Sequence, residues 1–143
     1  MASRLFMLLS AGVVLMLGII HLVYTFSGTK LMPRDPSLQV SMSLTTPVIT
    51  KETTMWRCWV GFNATHSMAL ILFGLVFGYL ALAQARLLFA SWFLLATGMA
   101  TLIALVVLCR MYFFTAPLLG VGIAWIFYVI SVALAIGPAG RSV

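Results

Sequence analysis

His21, Asn63 and His66 are the residues of this chain best equipped for chemistry, and each stands inside a long apolar segment. An imidazole titrates near neutral pH, so it can take or give a proton, and it can ligate a metal. A carboxamide both donates and accepts hydrogen bonds. Such groups are costly at bilayer depth unless they face protein or water, so these three are expected to turn inward. Asn63 and His66 are three residues apart and share a helix face, which Trp59, Phe62, Leu70 and Phe73 extend. His21 shares its face with Gly18 and Thr25. With Thr65, these residues form a candidate intramembrane polar site: His21, Thr25, Asn63, Thr65 and His66.

Four chemistries compete for that site. The first is an interhelical hydrogen-bond network of His21, Thr25, Asn63 and Thr65, each bond contributing about 1 kcal/mol or less. The second is a catalytic or lipid-binding pocket open toward the polar loop. There an imidazole would be the acid or base, and Arg34, Arg57 and Arg110 would hold an anionic headgroup. The third is haem held between His21 and His66, with Gly18 and Gly61 giving it room. The fourth is a proton or ion path, which normally shows intramembrane carboxylates. Both acids of the chain, Asp35 and Glu52, fall in the polar loop instead. Measured along the helix axes, His21 lies about 9 Å from Ser27 and His66 about 16 Å from Met55, so the rings are level or offset by about 7 Å. The first chemistry is the preferred reading.

The elements that must hold these residues follow from composition. Of the 143 residues, 64% are hydrophobic and 7% charged, with a mean hydropathy of +1.19. A soluble domain this small could not hide so much apolar surface from water, whereas a lipid solvent removes the difficulty. The net charge is +6, but the cations sit singly at the ends of apolar runs, where they meet phospholipid headgroups. No basic stripe points to nucleic acid. Cys58 and Cys109 form neither a CxxC pair nor a metal-ligand spacing and read as buried reduced thiols, so no metal site is expected.

Hydropathy predicts four spans, at about 5–26, 55–82, 87–108 and 118–136. The first run is too long for a signal-peptide core and lacks a small-residue cleavage site, so it reads as a retained span. The expected fold is all-α: one transmembrane domain over 1–143, an antiparallel four-helix bundle with a long polar loop between spans one and two. In that loop, Asp35-Pro36 predicts the start of a short interfacial helix reaching about Met42. Thr46-Pro47 ends it, and Thr50 is expected to cap the second span. Trp56, Arg57 and Trp59 make an interfacial belt. Gly74 and Gly78 form a GxxxG spacing that admits a close backbone neighbour, either within the chain or from a second copy or larger membrane complex. Residues 84–86 read as a turn, as do 115–117, and residues 137–140 stop the last helix. Asn63-Ala64-Thr65 matches the N-glycosylation pattern, but it lies inside an apolar helix and is a chance match.

Four spans return the chain to the side where it starts. That side carries Arg4, Arg86 and Arg141, and the other carries Lys30, Arg34, Lys51, Arg57 and Arg110. The positive-inside rule then favours a cytoplasmic long loop.

The run Gly18-x-x-His21, Pro33-Arg34-Asp35-Pro36, Thr54-x-Trp56-Arg57, Gly61-Phe62-Asn63-x-Thr65-His66-Ser67 and Phe73-Gly74 resembles a family of small four-span bacterial inner-membrane proteins with no assigned activity. The resemblance covers most of the first 80 residues. It implies the four-span fold and a bacterial inner-membrane location, and it implies nothing about mechanism. The functional expectation is a structural or accessory membrane subunit in contact with membrane lipids. A membrane enzyme or lipid-binding protein is the alternative, and a bis-histidine haem protein the second alternative.

Overall fold

The computed structural model describes residues 1–137. The fold is all-α, and its described elements are α1 (Ala2–Phe26), α2 (Pro36–Leu44), α3 (Met55–Ala83), α4 (Ala85–Ala90), α5 (Trp92–Tyr112) and α6 (Thr115–Ile136). Four of these, α1, α3, α5 and α6, are long and apolar enough to cross a membrane. The chain is a multi-pass membrane protein. Large apolar side chains such as Leu72, Leu82, Phe93, Leu119 and Ile126 are exposed along these helices, which a lipid solvent tolerates and water does not.

Local chemistry sets the helix ends. Ser27 N–H bonds back to the Val23 carbonyl, and Gly28 then turns the chain out of α1 with φ +83°, a left-handed conformation that costs a side-chain-bearing residue. Asp35 caps α2 as its sequence predicts, accepting from the backbone N–H and the hydroxyl of Ser37. The helix runs to Leu44, one half-turn beyond the expected end. Thr50 does not cap α3. Its hydroxyl accepts from Glu52 N–H in the loop, and Thr54 takes the capping role, accepting from Arg57 N–H. Residues 85–90, partly expected as a turn, form the separate helix α4. Ser91 then caps α5 by accepting from Leu94 N–H, which moves the start of that span from 87 to Trp92. The expected turn at 115–117 is instead the first turn of α6, where the missing N–H of Pro117 leaves no bond unmade. Gly137 closes α6, and the rest of the expected 137–140 stop lies outside the described residues.

By packing, the described residues divide into two compact units: residues 18–69, and residues 1–17 together with 70–137. The second unit has a hydrophobic core that includes Met7, Val14, Phe77, Leu88, Leu102 and Tyr128. Two hydroxyl bonds tie α1 to α6 in antiparallel register: Ser10 donates to the Ala124 carbonyl at 2.8 Å, and Ser131 donates to the Ser3 carbonyl at 2.7 Å. Seven residues, two helical turns, separate the paired positions on each helix, so both bonds lie along one seam. Tyr128 donates to the Leu95 carbonyl at 3.0 Å and fixes α6 against α5. A Cβ added at Gly98 would overlap the Tyr128 hydroxyl and come within 2.7 Å of Phe77. Gly74 of the GxxxG pair is occupied from within the chain, since a Cβ there would lie 2.6 Å from Leu15 Cβ and 2.8 Å from the Ala11 carbonyl oxygen. At Gly78 the nearest contact is an ordinary 3.8 Å to Ala11 Cβ.

Candidate functional site

The unit 18–69 holds the polar residues singled out by their position in the spans. Three of the five come together. His21 Nε2 lies 3.0 Å from Asn63 Oδ1, and the rings of His21 and His66 meet edge to face with centroids 5.4 Å apart and planes at 79°. The Asn63 amide is oriented by its own helix, because its Nδ2 donates to the Trp59 carbonyl at 2.8 Å. That leaves Oδ1 as acceptor, so His21 Nε2 carries the proton in this contact. Asn63 is buried, and both its amide atoms have protein partners.

The two threonines play a different part. Thr25 donates to the carbonyl of His21 at 2.8 Å, one turn back on α1. Thr65 is exposed and donates to the Phe62 carbonyl on α3. Each satisfies its hydroxyl within its own helix and adds no bond between helices. Ser67, absent from the expected site, is buried and donates to the Asn63 carbonyl at 2.8 Å. Its signal was the spacing of four from Asn63, which places it one turn further along the same face. In the other unit, Ser10 and Ser131 make interhelical bonds that the sequence left unmarked. A serine in an apolar run is common, and only the register of α1 on α6 distinguishes these two.

Next to Asn63 lies a shallow cleft whose walls include Tyr24, Thr25, Gly28, Trp56 and Trp59, with about 20 Å³ of room for a guest. That volume suits one water molecule. Neither histidine lines it. Trp59 closes one side, with its indole N–H donating to the Leu31 carbonyl at 3.1 Å and pinning the chain that leaves α1. Lys30 sits 5.9 Å from the centre of the Tyr24 ring, within cation–π range. Arg34 and Arg57 are exposed in this unit, and Arg110 is exposed in the other.

The residues do not fit a haem. Axial imidazoles on haem point at each other through the iron, one on each face of the macrocycle. Here the two rings touch edge to face, leaving no plane for a porphyrin between them, and His21 Nε2 is engaged by Asn63. A Cβ added at Gly61 would meet nothing within 4 Å, so this glycine makes no close approach that its small size is needed for. Among the described residues, no three His, Cys, Asp or Glu side chains gather to hold a metal ion. No protein-family model, no curated protein and no solved structure matches the chain.

Proposed function

We propose that this chain is a structural or accessory subunit of the bacterial inner membrane, and that its His21–Asn63–His66 cluster clamps α1 to α3. The observation that carries this reading is that both amide atoms of Asn63, the carboxamide at the centre of the cluster, have protein partners. The adjacent cleft admits one water. A pocket for a substrate or a lipid chain has roughly 300–1,000 Å³ and a few polar groups aimed into it. The bacterial location rests on the resemblance of residues 18–74 to small inner-membrane proteins, and the membrane supplies the lipid contacts.

The competing reading is an enzyme or lipid-binding protein that works through His66, and the two part experimentally. Native mass spectrometry of the full chain, released from mild detergent, reads any stoichiometric ligand. The clamp reading expects the wild type and His66→Ala to carry the same lipid complement, with no small molecule in fixed ratio. A lipid or metabolite bound one-to-one by the wild type, and lost from a His66→Ala variant that keeps its helical content, overturns it.

A further inference from the structure

The polar loop between α1 and α3 ends in a feature unlike an ordinary solvent turn. Thr50 N–H bonds to the Pro47 carbonyl at 3.3 Å, so residues 47–50 form a β-turn with Val48 and Ile49 as its central pair. Those positions normally carry Asn, Asp, Gly, Ser or Pro, because such residues suit the backbone or bond to it locally. Two β-branched aliphatic residues stand there instead, 109% and 91% exposed. No described residue covers them.

The turn is held in place. Met55 N–H donates to the Thr45 carbonyl at 2.8 Å and closes the base of the loop at the first residue of α3. From that root, an excursion of about four residues reaches at most about 14 Å, so the tip stays near the lipid surface where α3 enters it. The neighbouring sequence is suited to that surface. Lys30, Arg34, Lys51 and Arg57 are exposed against two carboxylates, and one of these, Asp35, is engaged in capping α2. The excess of positive charge complements anionic headgroups. Tyr24, Trp56 and Trp59 supply the aromatic residues typical of a membrane interface. On α2, Val40 and Leu44 lie four apart on one face and are 58% and 79% exposed.

We propose that Val48 and Ile49 form an anchoring tip that inserts into the acyl–headgroup boundary of an anionic bilayer, with Lys51 at the headgroups beside it. The occupant of this apolar surface is lipid. The clamp between α1 and α3 does not depend on this anchoring, nor the anchoring on the clamp.

The test places a spin label on the tip of the full chain. Val48→Cys and Ile49→Cys are made in a Cys58→Ser, Cys109→Ala background, with Glu52→Cys as the polar control. Each is reconstituted in vesicles of phosphatidylethanolamine and phosphatidylglycerol. Labels at 48 and 49 should collide several-fold more often with dissolved oxygen than with a water-soluble nickel chelate, and the label at 52 should show the reverse. Nickel access at 48 and 49 equal to that at 52 overturns the proposal. A second measurement keeps both native cysteines by placing a photoreactive amino acid at position 49 in cells. Lipid adducts at that position support insertion. A protein adduct, or no lipid adduct, overturns it and makes the turn a docking point for a polypeptide or a free surface.

Discussion

A hydrogen bond between two side chains in a bilayer contributes little by itself, and its loss is felt through the groups left behind. His21 and Asn63 illustrate this. Replacing Asn63 by Leu leaves the Nε2–H of His21 without its acceptor, and replacing His21 by Leu leaves Asn63 Oδ1 without its donor. Each single variant should lose about 1–2 kcal/mol of unfolding free energy in detergent. The double variant removes both orphans and should lose less than the sum of the two, by about 1 kcal/mol. Strict additivity would mean that the pair does not interact and would remove the clamp. This part of the site was legible in the sequence because imidazole and carboxamide have no cheap resting place in an apolar helix. Their need for partners predicts that they meet, although it does not say which atoms bond. The sequence places Thr25 and Thr65 in the same cluster, and neither bonds across helices, because a threonine can satisfy its hydroxyl on the carbonyl three or four residues back. Composition cannot tell that local bond from a long-range one.

At the scale of elements, close approach distinguishes two glycines that the sequence treats alike. The GxxxG spacing marks Gly74 and Gly78 as equals, yet a Cβ at Gly74 would meet the α1 backbone, while one at Gly78 would meet only a methyl group at contact distance. Gly74→Ala should therefore separate α1 from α3 and destabilise the protein by about 1–3 kcal/mol, because the obstruction is backbone and cannot swing aside. Gly78→Ala should stay within about 0.5 kcal/mol of wild type, or gain slightly from better helix propensity. Thermal unfolding followed by helical circular dichroism reads both. Equal effects would show that the approach at Gly74 is not the tight one. The existence and type of all four spans were legible, because runs of this length and hydropathy have few other fates. The boundaries were less so. Ser91 starts α5 and Pro117 sits inside the first turn of α6, and both are capping decisions made by one or two residues against a uniform apolar background. The α1–α6 seam through Ser10 and Ser131 was not legible, because it depends on the relative register of helices far apart in sequence.

For the whole molecule, the remaining question is which way the chain threads the membrane, and charge supplies an expectation. Four crossings leave both termini on one side, together with the α3–α5 connection, and leave the long loop and the α5–α6 connection on the other. Arg4 and Arg86 mark the first side, with Arg141 beyond the described residues, and Lys30, Arg34, Lys51, Arg57 and Arg110 mark the second. Cations near span ends are held back from translocation, so the side with five is expected in the cytoplasm. The margin is narrow, five cations against three. That narrowness makes the orientation sensitive to single residues. Alkaline phosphatase fused after Val143 should be active, as the enzyme folds only outside the cytoplasm, and a fluorescent protein that folds only inside should be dark at the same position. Changing Lys30, Arg34 and Lys51 together to Gln leaves two cations on the loop side. That should invert the reporters or split the population between both orientations. Reporters that show a cytoplasmic carboxyl terminus in the wild type would refute the assignment. They would also move the Val48–Ile49 turn to the outer leaflet, without altering its expected contact with lipid.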